Sequence, residues 1–326
     1  MDLHHPGSFL LEDFSLITHG FLETRLSQRV LALTGAALAG AGAFRISPIF
    51  ASQDQEIVPA NLPVKDVYTF LVAGLDTRTV EEPENTDVMM VSRVDLAAGT
   101  VRTMSFPRDL LVEIPGVGYD KINRAYDYGS KADNHDWNAG VALMVETFEH
   151  NFGLEIDAVA TTNFQGLPAV VDALGGIRVE NPYDVYDAEY PTADYGTKEI
   201  FYPAGPLELN GEQALEFGRT RHQDGDDGRV MRQQLILTAL LEKAQDPSII
   251  SKLPELVEAA RDAVKTNIPR DVQAQLIAAV PGIDIEDVHW GVMTQYLWGD
   301  TTASGMWVYQ GDWSTLPGYV QTWLAG

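Results

Sequence analysis

The 326-residue sequence contains no cysteine. Disulfides, thiol nucleophiles and thiolate metal sites are therefore excluded, so a metal ion would have to be held by oxygen or histidine ligands. Basic residues are also scarce, because 22 lysines and arginines stand against 47 acidic residues, which gives a net charge of −25. A surface of that charge repels nucleic acid, and we predict no nucleic-acid partner.

Two common catalytic signatures are missing as well. The sequence has neither a glycine-rich phosphate loop of the Walker type nor a Gly-x-Ser-x-Gly nucleophile elbow. Three histidines, His135, His222 and His289, do not follow a metal-ligand spacing, and we interpret them as structural. The hydrophobic content of 45% is that of a soluble globular protein.

A long hydrophobic run is only marginally present. The strictly uncharged run over residues 30–44 is shorter than the roughly 20 residues that span a bilayer, but it extends to residue 51 if Arg45 snorkels to the membrane surface. No clear Ala-x-Ala cleavage site follows, and we therefore predict an uncleaved signal anchor. A cleaved signal peptide and a buried helix rich in alanine and glycine are the alternatives.

The anchor sets the expected organisation of the chain. We predict a cytoplasmic tail over 1–29, a transmembrane signal anchor over 30–51, a linker over 52–65 and one folded domain over 66–326. Arginines that precede the anchor favour a cytoplasmic N-terminus. The folded domain is then expected outside the cell membrane, on a single-pass protein.

Alternating strand and helix patterns in the folded domain indicate an α/β fold. Buried strands are predicted over 67–75, 88–96, 101–106 and 156–161, and closing strands over 288–293 and 306–309. Helices are predicted over 139–152, 164–174, 230–243, 249–264, 272–280 and 317–324. We expect a single α/β/α domain with a mixed central sheet covered by helices on both faces. We interpret residues 181–202 as an irregular surface excursion.

Two arginines near the middle of the domain suggest an anion site. Arg219 and Arg221 are two residues apart, so in an extended segment both side chains leave the same face and can bind one anion. The alternative is a set of surface ion pairs with neighbouring acidic residues, which contribute little to stability.

A helix start adds further donors to this segment. Arg229 and Gln233 are four residues apart and share one face of a helix that should begin near residue 228. Either Asp226 or Asp227 is expected to cap that helix. Arginines that converge at a helix N-terminus are typical of a phosphate or pyrophosphate site.

Two aspartates lie at the ends of predicted strands. Asp76 and Asp87 flank a loop rich in acidic residues and proline. Two carboxylates at the mouth of a loop can share Mg²⁺, which also takes phosphate oxygens as ligands. A glycosidase with these two acids as catalytic acid and nucleophile is a competing interpretation, but such an enzyme does not need a gathering of basic side chains.

Several short motifs, taken together, resemble one known family. In chain order they are Asp76-Thr77-Arg78, Asp87, Pro107-Arg108-Asp109, Lys121-Ile122-Asn123, Asp172-Ala173-Leu174-Gly175-Gly176, Leu209-Asn210-Gly211-Glu212-Gln213-Ala214-Leu215, and Arg219-x-Arg221 through Asp226, Arg229 and Gln233. This pattern resembles the LytR-CpsA-Psr family over residues 66–245.

The resemblance implies an activity. Such a protein would be a membrane-anchored phosphotransferase that moves a glycopolymer from a polyprenyl pyrophosphate carrier to peptidoglycan, with Mg²⁺ or Mn²⁺ as cofactor and a pyrophosphatase side activity. A non-catalytic regulator that binds polyprenyl phosphate is the alternative within the family, and a secreted glycoside hydrolase is the alternative outside it.

The resemblance also implies roles for single residues. Asp76 and Asp87 would hold the metal. The pyrophosphate would be bound by Arg78, Arg108, Lys121, Arg219, Arg221, Arg229 and Gln233. Catalysis would involve Arg108, Asp109, Arg219, Arg221 and Asp226, with Asp109 as the expected proton acceptor. The prenyl chain would lie against Leu215, Phe217, Leu235 and Ile236, which are equally suited to an ordinary core.

The sequence departs from the family pattern at two places. Asn85 stands where the pattern has arginine or lysine, and Gly129-Ser130 stands where it has two glycines. The first departure removes a phosphate donor. We predict that Arg124, three residues after Lys121, partly replaces it, with pairing to Asp120 or Asp127 as the alternative.

Overall fold

The computed structural model describes residues 57–76, 85–163, 166–192, 196–246, 248, 249, 256 and 264–326. The predicted tail and signal anchor, Arg78 and most of the helix predicted over 249–264 lie outside these residues. In the described part of the chain, no helix has the length and hydropathy of a membrane span.

A six-stranded sheet forms the centre of the domain. Within the described residues the strands are β1 (Val67–Asp76), β2 (Asn85–Asp95), β3 (Thr100–Ser105), β4 (Leu111–Ile114), β5 (Gly118–Lys121), β6 (Ala158–Asn163), β7 (Ile177–Asn181), β8 (Val185–Pro191), β9 (Thr197–Tyr202), β10 (Gly205–Leu209), β11 (Val264–Thr266), β12 (Val288–Val292), β13 (Leu297–Thr301) and β14 (Trp307–Gly311). The central order is β11-β6-β1-β2-β3-β12. Because β1 pairs parallel with β6 and antiparallel with β2, the sheet is mixed, as predicted.

Helices cover both faces of this sheet. The α-helices of the described residues are α1 (Ala125–Ala132), α2 (Trp137–Phe152), α3 (Gly166–Ala173), α4 (Gly211–Arg219), α5 (Gly225–Ala244), α6 (Arg270–Ala279) and α7 (Leu316–Ala325). Successive residues of β1 point to opposite faces, so Leu71 packs with Phe148 of α2 on one side. Phe70 packs with Val272 of α6 on the other side.

A β-bulge breaks the register between β1 and β2 near their ends. The pairing passes from Gly74 with Val88 to Leu75 with Thr86, which leaves Asp87 as the extra residue. An extra residue bends the strand and redirects its side chain. The direction of the Asp87 side chain is therefore set by the bulge and not by the regular alternation of side chains along the strand.

The prediction of an irregular excursion over residues 181–202 is wrong. This segment contains the antiparallel pair β8 and β9, in which Val185, Asp187 and Tyr190 are buried from one strand and Ile200 and Tyr202 from the other. The acidic and tyrosine-rich composition concealed a strand pattern of alternating burial. Except for Asp187, these side chains complete a second core with residues of α3, α4 and α5.

Candidate active site

Four charged side chains form a row of alternating charge. Arg108 Nη1 donates to Asp87 Oδ1 at 2.8 Å, and Lys121 Nζ donates to Asp109 Oδ1 at 2.6 Å. Between these two pairs, Arg108 Nε lies 3.5 Å from Asp109 Oδ2. The four side chains are 17% to 24% exposed, so they are held in place and still open to a ligand.

Backbone contacts hold three separate motifs at this row. The amide of Asn123 donates to the carbonyl of Arg108 at 3.3 Å, and the amide of Ile122 donates to the carbonyl of Leu110 at 2.8 Å. The hydroxyl of the buried Thr86 reaches the carbonyl of Asn123 at 3.4 Å. The start of β2, the turn after β3 and the end of β5 are thereby fixed against one another. Lys121 itself is the last residue of β5, and the short 3₁₀ helix begins one residue later.

Helix α5 brings a further arginine to the same place. Arg229 is 5% exposed, and its Nη2 donates to the carbonyl oxygen of Asp87 at 3.2 Å. One turn further along, Gln233 Nε2 donates to the carbonyl of Gly218 at 3.2 Å. The predicted shared face of Arg229 and Gln233 is confirmed, and it ties α5 both to the charged row and to the end of α4.

Arg219 and Arg221 are placed differently from the prediction. Arg219 is the last residue of α4 and Arg221 follows the extended Thr220, so the two do not lie in one extended strand. The helix extends this far because its N-terminus is fixed by a capping box between Asn210 and Gln213. Arg219 is partly buried and Arg221 is exposed.

The start of α5 also corrects a prediction. The helix begins at Gly225, and its N-cap is Asp224. Asp226 and Asp227 therefore lie inside the first turn, where a carboxylate still interacts favourably with the helix dipole. The Asp226 side chain lies outside the described part of the chain.

The surroundings of Asp87 fit a hard cation in one respect. The backbone of Asp76 pairs with that of Asn85 across β1 and β2, two residues before Asp87. The amide oxygen Asn85 Oδ1 is buried and has no hydrogen-bond donor among the described residues. An amide oxygen is a ligand that Mg²⁺ or Mn²⁺ accepts. The described residues alone contain no group of three or more histidine, aspartate or glutamate side chains that could hold a metal, and the Asp76 side chain lies outside them.

Comparison with known proteins decides the family. The sequence matches the LytR_cpsA_psr family over residues 46–319. The chain belongs to this family. Among curated proteins it is 32% identical to the polyisoprenyl-teichoic acid–peptidoglycan teichoic acid transferase TagU of Oceanobacillus iheyensis, over 75% of this chain and 71% of TagU. It is 34% identical to the corresponding transferase TagV of Bacillus subtilis, where the match covers 63% of this chain and half (50%) of the length of TagV.

A solved structure agrees with the family assignment. The crystal structure of B. subtilis TagV superimposes with a TM-score of 0.64 at 26% identity, covering 80% of this chain and 99% of that one. The mixed sheet flanked by helices is therefore the fold of the LytR_cpsA_psr family.

Arg232 is a charged residue whose role the sequence reasoning missed. It is fully buried, and it donates to the Asp224 carboxylate and to the carbonyls of Thr220 and Phe217. Phe217 and Thr220 precede Arg221 in the chain and Asp224 follows it. Arg232 therefore holds in place the segment that exposes Arg221 to solvent. The available signal was its spacing, because Arg232 lies four residues before the buried Ile236 and shares the apolar face of α5.

We expect Arg232→Met to lower the free energy of unfolding by roughly 3–5 kcal/mol, because it leaves the Asp224 carboxylate without its buried partner. Urea denaturation measures this change. Arg178→Met is the matched control: that side chain is 61% exposed and pairs with the exposed Glu180 and Glu208, so its removal should cost less than about 1 kcal/mol. Equal stability of the two variants would show that Arg232 is not structural.

Asp187 is a second buried charge beside the arginine segment. Its carboxylate accepts from Thr220 Oγ1 at 2.6 Å and lies 2.7 Å from His222 Nδ1. Burial raises the pKa of Asp187, but the hydrogen bonds from Thr220, His222 and the Glu189 amide outweigh it and lower the pKa below the usual range. The interpretation of His222 as structural agrees with this contact.

The lowered pKa of Asp187 predicts a pH dependence of stability. A depressed folded-state pKa stabilises the fold above the unfolded pKa of about 3.9, and this contribution is lost as the pH falls through the lower, folded value. The difference in unfolding free energy between wild type and Asp187→Asn should shrink as the pH falls below about 4. Urea titrations across this range measure it, and a difference that does not change with pH contradicts the prediction.

The remaining sequence-predicted residues divide into three groups. Arg124 Nη2 lies 3.6 Å from Asp127 Oδ2, and its guanidinium stands 5.3 Å from the Tyr128 ring. The pairing with Asp127 was the alternative to the prediction that Arg124 replaces the phosphate donor missing at Asn85. Phe217 and Ile236 are buried in the second core, which is the ordinary core role given above as the alternative to a prenyl contact. Arg78 lies outside the described residues.

Proposed function

We propose that this protein transfers a glycopolymer of the teichoic acid class from a polyprenyl pyrophosphate carrier to peptidoglycan. The proposal is supported by membership of the family and by the similarity to TagU and TagV, which are teichoic acid transferases that act on peptidoglycan. The observation that carries it is the row from Asp87 to Lys121, joined by Arg229. Three basic side chains gather there in a chain of net charge −25, which is what a pyrophosphate site requires.

The chemistry is a displacement at phosphorus. A sugar hydroxyl of the acceptor attacks the phosphorus that carries the glycopolymer, the bond from that phosphorus to the bridging oxygen breaks, and polyprenyl monophosphate leaves. The new bond is a phosphodiester between glycopolymer and acceptor. Negative charge builds on the bridging and equatorial oxygens, where Arg108, Lys121 and Arg229 stabilise it.

Asp109 is the proton acceptor in this scheme. Its carboxylate lies between Lys121 and Arg108, so it is held in one orientation beside the phosphate donors. In a loose transition state the hydroxyl proton is lost late, and an ordinary carboxylate is a sufficient acceptor. Asp76 and Asp87 would hold Mg²⁺ or Mn²⁺, which when bound supplies Lewis-acid charge to the phosphate oxygens.

The arrangement disfavours a glycoside hydrolase. A glycosidase needs one carboxylic acid that stays protonated in an apolar pocket. Both carboxylates of the row are paired with cations instead: Asp87 with Arg108, and Asp109 with Lys121.

The donor lipid provides a direct test of this function. Mass spectrometry of lipid extracted from the purified full chain should detect a polyprenyl phosphate or pyrophosphate, enriched over a mock purification from the same membranes. The matched Arg221→Ala variant should retain less of it, because an exposed arginine that binds the headgroup is lost. Equal amounts in the mock preparation would contradict a polyprenyl-binding site.

We further propose that the N-terminal tail stays in the cytoplasm and that the folded domain lies outside the cell membrane, held by the anchor over residues 30–51. Protease added to intact cells should then remove the folded domain and spare a tag on the N-terminus. Protection of the folded domain until the cells are lysed would contradict this topology.

A further inference from the structure

The strands β13 and β14 form a hairpin with an unusual share of exposed aromatic surface, which we call the aromatic hairpin. Five of the six tryptophans of the chain lie in residues 288–326. Two of them stand on the hairpin, where Trp298 is 51% exposed and Trp307 is 45% exposed. Trp298 pairs with Gln310 and Trp307 pairs with Thr301, so each face of the hairpin presents one large exposed ring that a ligand can contact.

One face of the aromatic hairpin is built around Trp307. Its indole lies over Gly299, since a Cβ added there would stand 3.1 Å from Trp307 Cζ2. Tyr309 packs edge-to-face against the indole, with centroids 4.8 Å apart and planes at 72°. The glycine leaves room for the ring and the tyrosine fixes its edge. A ring fixed in this way loses little conformational freedom when a ligand stacks on it.

This face is attached directly to the candidate active site. The amide of Tyr309 donates to the carbonyl of Asp109 at 2.9 Å, and Leu110 and Tyr309 form a parallel bridge. Because the two segments run parallel, Trp307 lies on the Arg108 side of that bridge. Trp307 is two residues from Tyr309 along the strand, so its Cα lies about 7 Å from that of Tyr309, whose amide contacts Asp109.

The charge of this region restricts what can bind there. Residues 271–326 contain no lysine and no arginine. A polyanionic glycopolymer and an anionic membrane surface both need basic side chains for attraction. A sugar ring needs none, because its C–H face stacks on an aromatic ring and its hydroxyls find polar groups such as the exposed Thr301 at the edge.

We propose that the Trp307 face of the aromatic hairpin binds the glycan strand of the acceptor and delivers its hydroxyl to Asp109. The inference rests on the proposed function and adds the acceptor subsite to it. The donor pyrophosphate occupies the basic row, and the acceptor lies on the uncharged aromatic face that adjoins the row at Asp109. The two substrates thereby meet at the proposed proton acceptor.

The test is binding of a soluble N-acetylglucosamine tetramer to the full chain in detergent, measured by calorimetry without any donor lipid. Trp307→Ala should weaken binding about 10-fold or more, because the stacking surface is lost. Gly299→Val should have a similar effect with every tryptophan retained, because its side chain displaces the indole. Trp298→Ala is the matched control: that residue pairs with Gln310 and so lies on the opposite face of the hairpin, and its replacement should change affinity less than 2-fold.

Three results would overturn the inference. The first is no tetramer binding by the wild type, and the second is an equal loss in Trp298→Ala. The third is a Trp307→Ala variant that keeps the tetramer but loses binding to phosphatidylglycerol vesicles or to soluble polyglycerol phosphate, which would make the face a membrane or donor contact. In the transfer reaction, Trp307→Ala should raise the KM for acceptor and leave the KM for donor unchanged. Because the binding assay contains no donor, its failure is separate from failure of the transferase function.

Discussion

Arg108→Met is expected to lower kcat for glycopolymer transfer by about 10²- to 10³-fold. Arg108 is the one residue of the row that contacts both carboxylates, with Asp87 Oδ1 at 2.8 Å and Asp109 Oδ2 at 3.5 Å. Its loss removes positive charge from the position where the transition state gains negative charge. It also releases Asp109, the proton acceptor, from one of its two partners. The rate is measured with saturating donor and acceptor, so that binding does not limit it.

Two further variants serve as controls for Arg108→Met. Arg108→Lys keeps the charge but cannot contact both carboxylates through a planar fork, so we expect it to recover only part of the rate. Arg270→Met removes an exposed arginine from the start of α6 and should transfer at the wild-type rate. Circular dichroism and Tm confirm that each variant is folded. Normal turnover by a folded Arg108→Met protein would place the phosphate site elsewhere.

We expect the removal of divalent cations to cause a second large loss of the transfer rate. Excess chelator should reduce transfer by more than about 100-fold, because a metal ion contributes several kcal/mol of charge stabilisation to a phosphoryl transfer. Arg108 and Lys121 already share their charges with the carboxylates of Asp87 and Asp109, and the chain has a net charge of −25. Added Mg²⁺ or Mn²⁺ should restore the rate.

The metal ligands can be tested by substitution. Asp87→Asn should stay inactive at cation concentrations that saturate the wild type, whereas Asp271→Asn, an exposed aspartate on α6, should respond like the wild type. Asn85→Ala should raise the Mg²⁺ concentration needed for half-maximal rate if its buried amide oxygen is a ligand. Full activity in excess chelator would remove the metal from the mechanism.

The residues of the charged row could be predicted from sequence because each stands in a short motif next to a strand. Arg108 and Asp109 follow the apolar run of β3, and Lys121 ends β5. The shared face of Arg229 and Gln233 followed from helical periodicity, and the structure places the Arg229 guanidinium at the carbonyl of Asp87. What the motifs could not supply is the bulge that aims Asp87, because a bulge depends on how two strands pair and not on either strand alone.

Other features were missed because they depend on contacts distant in sequence. Arg232 stands close in sequence to the arginines assigned to the ligand, and its structural role depends on its contacts with Phe217, Thr220 and Asp224, which helical spacing alone does not show. The β8–β9 pair was hidden because acids and tyrosines occupy buried as well as exposed positions of the two strands, so the sequence shows no alternation of apolar and polar residues. The aromatic hairpin reaches Asp109 through a contact between residues 109 and 309, and no local pattern encodes a pairing over that separation.

Reconstituted transfer is the most direct test of the proposal that this protein moves a glycopolymer from a lipid carrier to peptidoglycan. The purified full chain is incubated in detergent with Mg²⁺, a polyprenyl pyrophosphate that carries a labelled saccharide, and peptidoglycan glycan strands. Label should become covalently attached to the strands through a phosphodiester, with one polyprenyl monophosphate released for each saccharide transferred. The Arg108→Met variant should neither attach label nor release polyprenyl monophosphate. Label that stays on the lipid, or that appears only as free saccharide phosphate in water whether or not strands are present, would contradict it.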